Sequence, residues 1–185
     1  MNMLMKAEIP SIKSYIKSSP IKMYSWIKIY FVLIAWMTAA SVVNAALPDS
    51  LPELNQKIIS FVDSKIKKKV GRGECWDLAA EALNAAGARW NGKLKFGRLL
   101  DLKTESVLPG DIIQFEGVKI GFKKNGTRYK EILNHHTGII YSVQNNRQFE
   151  MANQNTAQYG RKVGLSFIDL DQVTSGRYFI YRPEK

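Results

Sequence analysis

The one cysteine of this 185-residue chain, Cys75, stands in Gly71-Arg72-Gly73-Glu74-Cys75-Trp76-Asp77-Leu78-Ala79-Ala80. A glycine-rich turn there gives way to an alanine-rich helical pattern. A thiol does chemistry chiefly as its thiolate, and the unpaired N–H groups and dipole of a helix N-terminus stabilise that anion. In such settings the ordinary thiol pKa of about 8.5 falls to roughly 3.5–7.5, most of all beside a histidinium. The only two histidines are adjacent, His135 and His136, and His136-Thr137-Gly138-Ile139-Ile140 opens an apolar run of strand character. A cysteine, a histidine pair and a polar strand that follows are the minimum parts of a cysteine-nucleophile enzyme. A cysteine at a helix start is, taken alone, more often a small buried hydrophobe. A histidine pair within one strand is poor metal geometry, and a lone cysteine adds too few ligands for a tetrahedral zinc site. No metal and no cofactor are therefore expected.

The elements that must position these groups follow from periodicity. Leu54, Ile58, Phe61, Val62 and Ile66 recur at helical spacing and predict an amphipathic helix from Glu53 to about Lys69 within an N-terminal segment 46–70. Gly71 and Gly73 break it. A second helix is expected from about Cys75 to Ala86, with Leu78, Ala79, Ala82, Leu83 and Ala86 on its buried side and Gly87 as its C-cap. Residues 89–107 read as loop. Leu108-Pro109-Gly110-Asp111 is a turn, with Asp111 bonding local backbone N–H groups, and leads into a strand beginning Ile112-Ile113-Gln114-Phe115. Asn125-Gly126 marks a hairpin turn. Further strands are expected over 136–143, 148–154, 163–170 and 177–182. Helices first and about five mostly antiparallel strands afterwards make an α+β order, with the helices packed on one face of the sheet. Residues 71–185 form the candidate catalytic domain.

The first 45 residues differ from the rest. Residues 29–43 are apolar and uncharged, follow Lys22 and Lys28, and end in Val43-Asn44-Ala45, a small-x-Ala pattern that places signal-peptidase cleavage before Ala46. The run is shorter than the roughly 20 residues of a membrane-spanning helix. Residues 1–45 are thus expected to be a signal peptide of an exported, periplasmic or secreted protein with no stable membrane span after cleavage. Initiation at Met23 would give a signal of more ordinary length, and an uncleaved anchor is the alternative. Residues 1–45 carry five lysines and one glutamate, leaving 22 basic and 15 acidic residues and a net charge of +7. A basic surface favours anionic partners. Lys65, Lys67, Lys68 and Lys69 are the densest cluster and read as a solvated helix end. No aromatic residues interleave with them, so no nucleic acid is expected. A lone cysteine in an exported chain makes no internal disulfide and must be buried, paired with another chain, or reactive.

In order, Glu74-Cys75-Trp76-Asp77-Leu78, Leu108-Pro109-Gly110-Asp111-Ile112-Ile113, His136-Thr137-Gly138-Ile139 and Asn153-Gln154-Asn155 resemble the papain-like NlpC/P60 and CHAP superfamily over residues 70–183. Those proteins are cell-wall amidases and peptidases. The resemblance implies a papain-like fold with Cys75 as nucleophile and His136, which aligns with the family's His-x-Gly strand, as base. Strand alternation sends His135 to the opposite face from His136. CHAP members tend to have Glu-x-Asn where this chain has Asn153-Gln154-Asn155, so the orienting carboxylate becomes an asparagine, Asn153 or Asn155, which strand parity places on one face. The oxyanion donor would include the Cys75 backbone N–H. Trp76 is equally suited to line a cleft or to pack in the core.

The resulting expectation is an exported, monomeric cysteine hydrolase that cleaves amide bonds, foremost those of peptidoglycan peptides or of N-acetylmuramoyl-L-alanine. Two alternatives stand beside it. One is the same fold with an inactive site, serving as a secreted binding module. The other is a secreted protease or acyltransferase acting on non-wall substrates.

Overall fold

A computed structural model describes residues 50–124 and 127–185. The expected signal segment and the Asn125-Gly126 turn lie outside the described residues. Two helices, α1 (Glu53–Lys65) and α2 (Cys75–Ala86), precede the sheet. The strands are β1 (Arg98–Leu99), β2 (Ile112–Lys124), β3 (Thr127–Asn145), β4 (Gln148–Asn153), β5 (Gly164–Asp169) and, after a 3-10 turn at Leu170–Gln172, β6 (Val173–Arg182). They form one sheet in the order β1-β6-β2-β3-β4-β5, with every neighbouring pair antiparallel. The architecture is the expected α+β arrangement, with six strands rather than about five. The additional strand is the two-residue β1, which pairs with Tyr181 and Arg182 inside the stretch read as loop. Among the described residues, no helix is long and apolar enough to cross a membrane.

Each face of the sheet carries a buried cluster, and strand parity divides the core. Ile112, Ile139, Ala152 and Tyr181 face the helices and pack with Leu54, Ile58, Val62, Leu78, Ala82 and Leu83. Their chain neighbours Ile113, Ile140, Met151 and Ile180 point the other way, into a second core with Phe115, Phe149, Val107 and Leu170. Each fully buried aliphatic side chain contributes roughly 1.5–3 kcal/mol, so the two layers together hold the strands in register.

Helix α2 spans the residues its pattern predicts, and Gly87 caps it in the left-handed conformation (φ 74°). Helix α1 ends at Lys65, four residues before its expected end. Ile66 turns extended and forms a parallel bridge to Val163. Lys67 then adopts φ 63°, its N–H donates to the Val163 carbonyl at 2.9 Å, and the Val163 N–H donates to the Lys68 carbonyl at 2.9 Å. Helical propensity loses here to pairing with the chain before β5. Lys67, Lys68 and Lys69 therefore lie on a sheet-edge connection, not on a helix end, and only Lys65 occupies the last turn.

The turn before β2 is anchored more deeply than a surface turn. The buried Asp111 carboxylate accepts from the Leu108 N–H at 2.8 Å, as its turn position predicts. It also accepts from Arg182 on β6 (Nη2 2.8 Å, Nε 3.1 Å) and from Asn55 Nδ2 of α1 at 3.0 Å. Gly110 is required at this junction: its φ is +86°, and a Cβ there would lie 2.7 Å from the Asn55 Cα.

Candidate active site

Cys75 is the first residue of α2, entered from an extended Glu74 (φ −82°, ψ 150°). The turn ahead of it is built around two side chains. The buried Asp77 carboxylate accepts the Arg72 N–H at 2.8 Å, the Glu74 N–H at 3.3 Å and the Arg72 guanidinium at 2.8 Å. Burial opposes ionisation of Asp77, but these bonds outweigh it and hold the carboxyl below the usual range. The anion two residues from Cys75 is thus already matched by a cation. Gln154, immediately after β4, accepts the Val70 N–H at 3.1 Å and donates to the carbonyls of Val70 (2.9 Å) and Glu74 (2.7 Å). Gly73 (φ +93°) lies under Arg161, whose Cβ would be 2.7 Å from a Cβ at that position.

The partly buried Cys75 points toward β3, with Sγ 3.8 Å from the His135 carbonyl oxygen. The β2–β3 register pairs His135 with Glu116, and the His135 Nδ1 is 2.5 Å from Glu116 Oε2. The other Glu116 oxygen accepts from Gln114 Nε2 at 2.9 Å, while Gln114 Oε1 accepts from the Thr137 hydroxyl at 2.6 Å. Thr137 and Gln114 are buried and Glu116 is half-buried, whereas the His135 ring is exposed. A Thr137–Gln114–Glu116–His135 chain of polar contacts therefore runs along the helix-facing side of β2 and β3. With Nδ1 held by a carboxylate, Nε2 is the ring nitrogen left to accept a proton.

His136 and Asn153 do not join this cluster. His136 pairs with Phe115, which lies in the core on the far face of the sheet, and directly paired residues share a face. Burial alone lowers the His136 pKa to about 4, so the ring is neutral at physiological pH. Asn153 follows Met151 and Ala152 in alternation and shares the far face with Met151. Its Nδ2 donates to the Met151 carbonyl at 3.1 Å, and its Oδ1 is buried without a partner. The alternation expected from sequence holds, with the two histidines on opposite faces and Gln154 opposite Asn153. It is His135 and Gln154, however, that face the helices. Asn155 reaches the start of α2 by another route. Its backbone turns left-handed (φ 61°), and its Nδ2 donates to Glu74 Oε2 at 2.7 Å, beside Arg161 Nη2 at 3.4 Å from the same carboxylate. It contacts Glu74, the residue before Cys75, and bonds to neither histidine.

Motif reading passed over Glu116, Gln114 and Gln154. A signal for the first two was present: polar residues two apart in the apolar strand Ile112-Ile113-Gln114-Phe115-Glu116 share one face, and a buried polar pair there requires partners. Trp76 serves the scaffold on one side. Its ring lies 5.5 Å from that of Trp90, which continues through Phe96 to Tyr181, and its indole N–H donates to the Lys93 carbonyl at 2.7 Å. On the other side it walls a recess of about 400 Å³ with Gly71, Arg72, Asp77, Ala80, Glu81 and Asn84. That recess does not include Cys75 or His135. Among the described residues, no group of three or more histidine, cysteine, aspartate or glutamate side chains is placed to hold a metal ion.

No curated protein matches the chain. Among solved structures, the crystal structure of Ly7917 aligns with 69% of this chain and 62% of its own, at 16% identity and a TM-score of 0.40. The crystal structure of Ly7917 with the hydrolyzing product of MDP aligns with 70% of this chain and 62% of its own, at 15% identity and a TM-score of 0.44. The aligned region is thus less than two thirds of that protein's length. The family model for the AIM3/BBC1 cysteine proteinase-fold domain matches residues 40–185, well over half of the chain. The papain-like fold expected from the motifs stands on that match, and the chain belongs to the AIM3/BBC1 cysteine proteinase-fold domain family.

Proposed function

We propose that the domain is a cysteine hydrolase that cleaves amide bonds, with Cys75 as nucleophile, His135 as general base and Glu116 as the group that orients the imidazole. The observation that carries this reading is the juxtaposition on one face of the sheet. The sole thiol, at a helix N-terminus, lies 3.8 Å from the backbone of a histidine whose Nδ1 is 2.5 Å from a carboxylate. Glu116 holds the tautomer in which Nε2 is free to accept the Cys75 proton. The thiolate then attacks the amide carbonyl, and the negative charge on the tetrahedral oxygen falls toward the N–H of Cys75 at the start of α2. His135 returns the proton to the leaving amine, and water resolves the thioester by the same route in reverse.

The substrate class we infer is the peptide portion of peptidoglycan, met outside the cytoplasm. The net charge of +7 over residues 46–185 supports an anionic polymer, and the small-x-Ala pattern ending at Ala45 supports export. The likeness of the Cys75 segment to NlpC/P60 and CHAP proteins supports amide chemistry on that substrate.

The test is the pH dependence of iodoacetamide alkylation in the wild type and in His135→Ala, His136→Ala and Glu116→Gln, for which the single cysteine gives one signal. Fast alkylation, slowed in His135→Ala and Glu116→Gln but retained in His136→Ala, is the expected result. Release of amines from purified peptidoglycan follows as the substrate assay. An ordinary thiol indifferent to all three substitutions would leave the domain a binding module, and an activated thiol with no action on peptidoglycan would move the substrate to another amide.

A further inference from the structure

Gln154 is fully buried, and its side-chain amide is committed to one turn of chain: Oε1 to the Val70 N–H, and Nε2 to the Val70 and Glu74 carbonyls. It touches neither the thiol nor the imidazole. What it fixes is a peptide plane. The Glu74 carbonyl and the Cys75 N–H belong to the same trans amide, in which C=O and N–H point in opposite directions. A 2.7 Å bond that sets the direction of the carbonyl therefore sets the direction of the N–H as well.

That N–H is the first of α2, where no intrahelical acceptor exists, and it belongs to the residue that carries the sulfur. The Glu74 carbonyl also accepts the Asp77 N–H at 3.0 Å in the first turn of α2, so a backbone bond and a side-chain bond together hold this amide. The Gln154 side chain, held immediately after β4, supplies the shorter of the two bonds and ties the amide to the sheet. Resting on the reading of Cys75 as an acyl-transfer nucleophile, we propose that Gln154 is a positioning residue that aims the Cys75 N–H at the oxyanion of the tetrahedral intermediate.

Two reactions of the same sulfur separate this role from simple support of the fold. In acylation by p-nitrophenyl acetate, the thiolate electron pair forms the S–C bond and the carbonyl π pair moves onto oxygen. That pair then returns as the C–O bond breaks, releasing p-nitrophenolate, while His135 retains the thiol proton. Alkylation by iodoacetamide displaces iodide at a saturated carbon and forms no oxyanion. The full chain is compared with Gln154→Ala and with Gln154→Met, which keeps the side-chain length but neither donates nor accepts. Loss of a direct oxyanion donor costs about 10²–10³ in rate, so misdirection of one should slow acylation about 10–100-fold. The rate and pH profile of alkylation should be unchanged. Equal losses in both reactions, or no loss in acylation, would overturn the proposal. Circular dichroism identifies a variant that fails to fold, in which case the other carries the comparison. A wild-type thiol that reacts slowly with both reagents would instead bring down the hydrolase reading itself, and that outcome is visible before any substitution is made.

Discussion

His136 supplies the sharpest thermodynamic prediction, because it is buried on the far face of the sheet from Cys75. Its pKa falls from the ordinary 6.5 to about 4, and burial is the cause. Between those values the unfolded chain binds a proton that the folded chain refuses, so stability declines as pH falls. The contribution is fully present above pH 6.5 and is lost by about pH 4. At about 1.4 kcal/mol per pH unit the whole interval is worth about 3 kcal/mol. The loss should be about 1.4 kcal/mol at pH 5.5 and about 2.5 kcal/mol at pH 4.5. The perturbation is His136→Leu, which removes the titrating ring and leaves the other acid-sensitive groups in place. Urea unfolding followed by tryptophan fluorescence at pH 7.5, 5.5 and 4.5 would measure it. The difference in unfolding free energy between wild type and variant is the reading, since absolute stabilities include repacking. That difference should move by about 2.5 kcal/mol in favour of the variant between pH 7.5 and 4.5. Parallel stability curves would refute the argument and place His136 in contact with solvent. A catalytic base needs a pKa near its working pH, so a ring that resists protonation down to about pH 4 is poorly suited to the part the motif alignment assigns it.

Two further outcomes follow from the scaffold. Arg182→Ala leaves the Asp111 carboxylate, with a side chain 0% exposed, without its bidentate partner and should cost about 3–5 kcal/mol in urea unfolding; Asp111→Asn in the same chain should recover part of that loss. Gly73→Ala forces a Cβ to within 2.7 Å of the Arg161 Cβ at φ +93°, which should destabilise the domain by about 1–3 kcal/mol and slow Cys75 acylation by displacing the turn before α2.

What the chain declares locally, it declares well. The bounds of α2 rest on near-neighbour effects: a glycine turn ahead of Cys75, an alanine face, and Gly87 free to turn left-handed. The bond from Leu108 N–H to Asp111 is likewise a matter of three residues. The α+β order and the relative parity of β3 and β4 are also sequence properties, because side chains alternate along any strand. So is the presence of a thiol at a helix start, which made Cys75 a candidate from its surroundings alone.

Absolute parity is another matter. Alternation says that His135 and His136 oppose one another, but not which of them meets the helices. That is decided by whether Ile139 or Ile140 packs under α1 and α2, and both are equally apolar. The same ambiguity put Asn153 in the site and left Gln154 out of it. Glu116 becomes the neighbour of His135 only through the β2–β3 register. The return of β6 to the edge of β2, which carries Arg182 to Asp111, joins residues 71 positions apart. Helix α1 stops at Lys65 because Val163, almost a hundred residues later, offers its backbone to Lys67 and Lys68. The sequence by itself determined α2, the α+β order and a thiol at a helix start, all set by contacts within a few residues. Only the tertiary structure decided which histidine and which polar side chains share a face with Cys75, because a two-residue period is symmetric until something packs on one face.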